Sequence, residues 1–249
     1  MILEDLHAHT YFCDGKNSPE EMVQSAISKG LKKIGLVVHS FTDFDTSYCV
    51  SKDGEKEFKR QMNALKKQYA DKIQVLCGVE QDVYSSSSTE GFDYVIGSVH
   101  YFKVEGKYHD VDKSPESFIK TVNDYFGGDY YSAAECYFES VANLQEKTRA
   151  DIIGHFDLIT KFNQKNVLFD VDNPRYERAY LSALNALKVE KTVFEVNTGA
   201  ISRGYRQEPY PANKIREQIK NRGGKLLLSS DAHSADNLAF EFSKWEKLL

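Results

Sequence analysis

Short apolar runs alternate with amphipathic segments along most of the chain, and polar residues stand at the end of almost every apolar run. Runs of this kind predict buried strands, and the amphipathic segments between them predict helices. We predict seven strands, at about residues 2–6, 34–38, 73–79, 94–99, 151–154, 192–196 and 225–229.

The predicted helices begin and end at residues that favour helix termini. Ser18-Pro19-Glu20-Glu21 predicts a capping box, and Gly30 predicts the end of the same helix. Further helices are predicted at about residues 55–69, 173–188, 211–221 and 235–247. A longer segment at about residues 101–149 is predicted to be a helical insertion, with helices near residues 115–126 and 132–147.

Strands that alternate with helices over one continuous chain favour an α/β fold with a parallel sheet. Seven such repeats favour a closed or nearly closed barrel, and we expect a single domain over residues 1–249. A doubly wound open sheet is the alternative. That fold usually has a glycine-rich first turn, whereas the first predicted strand here runs into His7-Ala8-His9-Thr10.

Composition narrows the function classes. The net charge is −5 and no basic run stands out, so we expect no dedicated nucleic-acid surface and no nucleic-acid partner. We expect no secretory leader, because the first residues form neither a basic nor an apolar leader segment. No apolar run approaches the roughly 20 residues of a membrane span. The four cysteines are scattered, which is typical of reduced thiols. We therefore expect a cytoplasmic protein without a membrane partner.

Six of the seven histidines stand at the carboxyl ends of predicted strands, and only His109 does not. In a β/α barrel those ends form one face, where active sites are built. Each residue alone could be an ordinary polar residue at a strand end, but together they predict a site for zinc, manganese or iron. The candidate ligands of this kind are His7, His9, His39, Glu80, His100, His155, Asp231 and His233.

These motifs resemble those of the PHP (polymerase and histidinol phosphatase) family. The matching segments are His7-Ala8-His9-Thr10, Asp14, His39, Gly78-Val79-Glu80, Gly97-Ser98-Val99-His100, Gly154-His155-Phe156-Asp157 and Ser230-Asp231-Ala232-His233. The resemblance implies a distorted, TIM-like seven-stranded (β/α)7 barrel with two to three divalent transition metals.

The resemblance also implies a distribution of the ligands among three metals. It assigns His7, His9, Glu80 and Asp231 to the first metal. It assigns Glu80, as a bridge, with His100 and His155 to the second, and Asp14, His39 and His233 to the third. The chain departs from the family pattern at Val37-Val38-His39-Ser40, which often reads Thr-Asp-His, and at Asp14, where some relatives have histidine. We therefore expect the third metal to be held least firmly.

The sixth predicted strand supplies no ligand in this interpretation, but two arginines follow it. Arg203 and Arg206 suggest an anion clamp, because a guanidinium matches phosphate oxygens; an ordinary basic surface loop is the alternative. The segment from Asn197 to Pro211 resembles the Asn-Thr…Arg…Pro-Tyr-Pro stretch of histidinol-phosphatase members of the family, which implies Arg203 as the phosphate ligand. Lys161 and Arg206 are further candidates for substrate binding. For the organic half of the substrate the candidates are Tyr101, Phe102, Phe156, Tyr205 and Glu208.

The resemblance implies a metal-dependent phosphomonoesterase, an enzyme of the histidinol-phosphatase type in histidine biosynthesis. In that mechanism a metal-bound hydroxide would attack the phosphate of L-histidinol phosphate, with Arg203 as the clamp. The leaving alkoxide would be protonated by a water or by a nearby acid, for which Asp231 and His233 are candidates. Two alternatives stay open. One is a family phosphatase for another phosphoester, such as phosphotyrosine or an oligonucleotide end, and the other is a non-catalytic metal-bound module.

Overall fold

The computed structural model describes residues 2–249. Expectations that concern Met1, at the N-terminus and at the domain limit, lie outside these described residues. Over the described residues, seven parallel strands form one sheet and two antiparallel strands form a hairpin. In chain order the strands are β1 (Glu4–His9), β2 (Lys33–His39), β3 (Gln74–Asp82), β4 (Tyr94–Ser98), β5 (Tyr101–Val104), β6 (Lys107–Asp110), β7 (Ile152–Ile153), β8 (Val193–Asn197) and β9 (Lys225–Ser229).

The large sheet has the order β1-β2-β3-β4-β7-β8-β9. Its two edges approach each other just beyond β9, where the N–H of His9 donates to the carbonyl of Ala232 at 2.8 Å. The N–H of Ala232 in turn donates to the carbonyl of His7 at 3.3 Å. The sheet is thus a nearly closed barrel, and the prediction of a seven-stranded α/β barrel is confirmed over the open-sheet alternative.

The α-helices cover the outside of the barrel and its loops. In chain order they are α1 (Pro19–Ser28), α2 (Lys52–Gln68), α3 (Pro115–Phe126), α4 (Tyr130–Ala142), α5 (Leu144–Thr148), α6 (Pro174–Ala186), α7 (Gly199–Ser202), α8 (Asn213–Asn221) and α9 (Phe242–Trp245). The predicted capping box is present, because Ser18 accepts from the N–H of Glu21 while the Glu21 carboxylate accepts from the N–H of Ser18. No helix within residues 2–249 is long and apolar enough to cross a membrane.

Alternation along the strands divides each one into an inner and an outer side. On β3, Val75 and Cys77 pack outward against α1 and α2, whereas Leu76 belongs to an apolar cluster inside the barrel. Tyr94 of β4 fills the barrel beside Leu76, and its hydroxyl donates to the carbonyl of Leu6 at 2.6 Å. This apolar filling closes the barrel below the carboxyl ends of the strands, so the inward polar residues collect above it.

The segment 101–149 differs from its prediction of two helices. It starts with the antiparallel hairpin β5–β6, whose two-residue turn has Glu105 and Gly106 both at positive φ, 51° and 75°. Turns of this type match the twist of a hairpin, and Gly106 was the available signal in the sequence. The second predicted helix is divided at Asn143 into α4 and α5.

The prediction of one helix over about 235–247 is wrong. The chain makes 3-10 turns at Ala235–Asn237 and Glu246–Leu248, with only the short α9 between them. Ala239 and Glu241 have positive φ, 52° and 53°, which interrupts any helix through this stretch. The N–H of Ala239 instead donates to the buried carboxylate of Asp5 at 3.0 Å, so a tertiary contact replaces the helical one.

Candidate metal centre

The sequence predicts His7 and His9 just beyond the end of the first strand. In the structure both histidines lie inside β1. His7 and His9 are two residues apart in the strand, so their rings lie on the same side, and the pairing register with β2 shifts between Asp5 and Ala8. Both side chains are fully buried, and the Nε2 atoms of His7 and His9 are 3.1 Å apart. Two nitrogen donors therefore converge on one point.

Glu80, near the carboxyl end of β3, lies between two pairs of histidines. Its Oε2 is 3.2 Å from the Nε2 of His7 and 3.3 Å from the Nε2 of His9. Its Oε1 is 2.9 Å from the Nε2 of His155 and 3.3 Å from the Nε2 of His100. One carboxylate thus faces two separate pairs of nitrogen donors, which is the arrangement of a ligand that bridges two ions.

Asp231 completes the cluster around the β1 histidines. Its Oδ1 is 3.4 Å from the Nε2 of His9 and 3.7 Å from that of His7. The residue has φ +47°, a left-handed conformation that aspartate tolerates better than most residues. Arg203 holds it there by donating from Nη2 to Oδ2 at 3.0 Å and from Nη1 to the main-chain carbonyl at 3.1 Å.

Gly199, the first residue of α7, permits this packing. A Cβ at position 199 would lie 2.7 Å from the Oδ2 of Asp231 and 2.9 Å from the Nη2 of Arg203. Both distances are shorter than real Cβ contacts, so a side chain here would displace the aspartate or the arginine.

A third set of donors lies nearer the solvent. The Oδ1 of Asp14 is 3.5 Å from the Nε2 of His39, and its Oδ2 is 3.1 Å from the Nε2 of His233. His39 also faces inward, with Nδ1 3.0 Å from the Oε2 of Glu80. We call His7, His9, Glu80 and Asp231 the first group, Glu80, His100 and His155 the second group, and Asp14, His39 and His233 the third group.

The charges in these groups fit cations. Burial disfavours the protonated form of His7, but the carboxylates of Glu195, Glu80 and Asp231 outweigh burial and raise its pKa well above the usual value. Burial likewise disfavours the charged form of Glu80, yet His7, His39 and His100 hold its pKa well below the usual value. The carboxylates therefore stabilise positive charge on the histidines between them, and a bound divalent ion would replace the protons on those rings.

The donor set also fits transition metals in spacing. Ligand atoms about 2.0–2.2 Å from a shared zinc ion stand roughly 3–3.5 Å apart in tetrahedral or octahedral arrangements, and the first group spans 3.1–3.7 Å. The buried Oε2 of Glu80 and Nδ1 of His39 face each other at 3.0 Å, but neither atom makes a hydrogen bond of acceptable geometry within the described residues. Buried polar atoms of this kind are rarely left without a partner, so they point to an ion as the missing one.

Two carboxylates that sequence analysis missed hold the histidine rings from behind. The Oε1 of Glu195 on β8 is 2.7 Å from the Nδ1 of His7, and the Oδ2 of Asp82 on β3 is 3.2 Å from the Nδ1 of His100. Both acids are almost fully buried. Glu195 alternates with the apolar Phe194 and Val196 of β8, and Asp82 lies two residues after Glu80 on β3, so both side chains point inward. These positions do not show which histidine ring each acid faces.

The three predicted substrate cations differ in position. Arg203 and Lys161 line the cavity above the groups, and the Nζ of Lys161 donates to the carbonyl and the Oδ2 of Asp112 at 2.7 and 2.9 Å. Within the described residues, the cavity lining does not include Arg206. Its guanidinium instead donates to the carbonyls of Thr160 and Glu208, both at 3.2 Å.

The cavity has a volume of about 340 Å³. Ligand-type residues of all three groups reach its lining. Further lining residues come from the loop after β2, from the β5–β6 hairpin and from the residues after that hairpin; they include Asp45, Tyr48, Tyr101, Asp110 and Asp112. Among the residues predicted for the organic half of the substrate, Tyr101 therefore lines the cavity. Phe102 and Phe156 are instead buried in the apolar core, and Tyr205 and Glu208 are exposed.

Comparisons with known proteins agree with this fold. A family model described as the PHP domain matches residues 5–199. A probable histidinol-phosphatase of Deinococcus radiodurans is 28% identical, over 96% of this chain and 89% of that protein.

Two crystal structures share the fold of this chain. A putative histidinol phosphatase of Listeria monocytogenes superposes with a TM-score of 0.84 at 23% identity, covering 97% of this chain and 99% of the other. The histidinol phosphate phosphatase of Lactococcus lactis, solved with zinc, L-histidinol and phosphate, superposes with a TM-score of 0.73 at 21% identity, covering 98% and 91%.

Proposed function

This chain belongs to the PHP domain family, and on that premise we propose that it is a metal-dependent phosphomonoesterase that hydrolyses L-histidinol phosphate to L-histidinol and phosphate. The observation that carries the proposal is the cavity itself, which joins a buried cluster of metal-type ligands to cations and to an acidic and aromatic lining. Relatives that match nearly the whole chain carry the name histidinol-phosphatase. We propose the cytoplasm and histidine biosynthesis as the setting, without a membrane or nucleic-acid partner.

The three groups would hold two to three divalent ions of zinc, manganese or iron. The first group would hold one ion and the second group another, with Glu80 shared between them, and the third group would hold a third ion less firmly. Bound ions would supply Lewis-acid polarisation of the phosphate and a water of lowered pKa, which is the chemistry that phosphate ester hydrolysis needs.

Arg203 is the proposed phosphate ligand. Two of its nitrogens are committed to Asp231, but the buried Nε has no partner within residues 2–249, and the side chain lines the cavity. Burial disfavours its charge, yet Asp231 raises the pKa of the guanidinium, so Arg203 stays a cation beside the phosphate. Lys161 is a second proposed contact, whereas Arg206 would have to leave Thr160 to take part.

The leaving alkoxide needs a proton, and the proposed donors are a water, His233 or Asp231. Both residues line the cavity, and the Nδ1 of His233 lies 3.0 Å from the Nη1 of Arg203. A phosphate held at Arg203 would therefore lie within reach of His233. Of the two side chains, His233 is the more accessible, since it is 23% exposed and Asp231 is 8% exposed. Burial raises the pKa of Asp231, but Arg203 and His7 outweigh burial and hold that pKa well below the usual range, so the carboxylate has no proton to give and His233 is preferred.

The acidic and aromatic part of the lining suits the organic half of this substrate. Histidinol carries an ammonium and an imidazole, and both are attracted to carboxylates and to aromatic faces. Asp45, Asp110 and Asp112 provide the carboxylates, and Tyr48 and Tyr101 provide the rings. The same acids disfavour a polyanion such as an oligonucleotide.

Steady-state kinetics on a substrate panel tests the proposal. Protein of measured metal content would be assayed with L-histidinol phosphate, phosphotyrosine and an oligonucleotide bearing a terminal phosphate. Glu80→Gln protein, purified in parallel, controls for contaminating phosphatases. We expect the highest kcat/KM for L-histidinol phosphate. A higher value for another substrate would overturn the substrate assignment, and no turnover of any ester by metal-loaded protein would indicate a non-catalytic module.

A further inference from the structure

Glu195 accepts hydrogen bonds from three groups on three different strands or loops. Its Oε1 faces the Nδ1 of His7 at 2.7 Å. Its Oε2 accepts from the main-chain N–H of His155 at 3.1 Å and from the Nδ2 of Asn197 at 3.0 Å. The side chain is 1% exposed, so water does not compete for these contacts.

The directions of these hydrogen bonds are fixed by the partners. The main-chain nitrogen of His155 is always a donor. The amide of Asn197 is oriented, because its Oδ1 accepts from the N–H of Gly199 at 2.9 Å and its Nδ2 must therefore point to Glu195. A carboxylate offers only acceptors, so the Nδ1 of His7 carries the proton. The Nε2 of His7, which faces Glu80 and Asp231, is then the nitrogen that would give up its proton and offer a lone pair to an ion.

Glu195 also joins two groups of the metal centre. Through His7 it contacts the first group, and through the main chain of His155 it contacts the second. We propose that Glu195 is a positioning residue that fixes the ring proton of His7 on Nδ1 and sets the first group against the second. This inference rests on the proposed metal site but not on the identity of the substrate.

A glutamine at position 195 cannot reproduce this pattern. With its NH2 toward His155 and Asn197, the glutamine would place a donor against the main-chain N–H of His155 and the Nδ2 of Asn197, which are also donors. With its NH2 toward His7, it would force Nδ1 to accept, and the ring proton would move to Nε2, where it blocks a metal ligand. Either orientation loses part of the network, although glutamine has nearly the same volume as glutamate.

The test is zinc binding by the full-length protein, measured in competition with a chelator after metal removal. For Glu195→Gln we expect the tightest zinc equivalent to bind about 10–100-fold more weakly, the range typical of residues that orient a metal-binding histidine. Glu195→Asp keeps an acceptor-only carboxylate and should recover part of the affinity. Asp157→Asn is the matched control, because Asp157 is a buried carboxylate that accepts from the N–H of Ala212 and contacts none of the three groups.

A purely structural role predicts a different result. Glu195→Gln would then melt at a lower temperature but bind zinc as tightly as the unmodified protein, and this would overturn the proposal. If Glu195→Gln does not fold, nitrogen-15 NMR of the unmodified zinc-loaded protein decides. A proton on the Nδ1 of His7 supports the proposal and a proton on Nε2 contradicts it. Failure of the unmodified protein to bind zinc, manganese or iron would instead refute the metal site and the proposed function with it.

Discussion

The first and third groups use the same types of ligand but differ in their access to water. His7 and His9 are fully buried, and the side chain of Glu80 is 1% exposed. In the third group the side chain of Asp14 is 35% exposed and that of His233 is 23% exposed. The supports differ as well, because the carboxylate of Glu195 holds the Nδ1 of His7 from behind, whereas the Nδ1 of His233 faces the guanidinium of Arg203 at 3.0 Å.

This difference predicts different metal affinities. Buried ligands that lose their ion are left with uncompensated charge and no water to solvate it, so their ion is held strongly. Exposed ligands are solvated when their ion leaves, and their ion exchanges more easily. We therefore expect the cavity to hold two metals firmly and a third metal that exchanges.

Glu80→Gln should have the largest effect, because it removes the one carboxylate that faces both the first and the second group. We expect no measurable turnover and the loss of at least one of the two firmly held metals, measured by elemental analysis after gel filtration. Turnover near that of the unmodified protein would show that Glu80 does not join the two groups.

Gly199→Ala probes the packing on the buried side without changing any charge. The new Cβ must displace Asp231 or Arg203, and a shift of about 1 Å in a catalytic group costs on the order of 10²-fold in rate. We expect a loss of that order in kcat/KM at saturating metal. Ser202→Ala, in the same helix, is the control and should retain most of the activity; an active Gly199→Ala would mean that Asp231 need not be held closely.

Arg203→Ala tests the residue that links the buried and the exposed side, since it contacts both Asp231 and His233. A charge-assisted hydrogen bond is worth about 1.5–3 kcal/mol, so kcat/KM should fall roughly tenfold to 150-fold. Because Arg203 also holds Asp231, weaker metal binding at the first group should accompany the kinetic loss.

Two further variants locate the phosphate contact. Arg203→Lys should restore only part of the activity, because an ammonium cannot replace a guanidinium that binds two partners at once. Arg206→Ala should change kcat/KM little, since its guanidinium is held by carbonyls outside the cavity lining. A large loss at Arg206 with none at Arg203 would move the clamp to Arg206.

Asp14→Ala should have a smaller effect than the changes at Glu80, Gly199 and Arg203. It removes an exposed ligand of the third group and leaves the first and second groups intact. We expect the loss of one metal equivalent and a smaller fall in kcat than for Glu80→Gln, measured on the same preparations. If Asp14→Ala proved the more damaging variant, the assignment of the firmly held pair would be wrong.

The sequence predicted the barrel and most of the residues that meet in the cavity, because both depend on local patterns. Histidines such as His39 and His100 stand where apolar strands end, and parallel strands bring those ends to one face. Glu195 and Asp82 could not be recognised in this way. The role of each acid depends on which histidine ring from another part of the chain lies opposite, and no local pattern shows this. The prediction of a C-terminal helix is wrong for a related reason, because the contact between Asp5 and Ala239 outweighs the local preference for a helix.

The most direct test of the account is the number of metals kept during graded removal. Protein loaded with zinc would be dialysed against increasing chelator, and the zinc and the activity would be measured at each step. We expect one zinc equivalent to leave first and two to remain together up to a much higher chelator concentration. The Asp14→Ala protein should lack only the first of these two steps. Release of all equivalents in one step, or full activity in protein with no metal, would contradict the account.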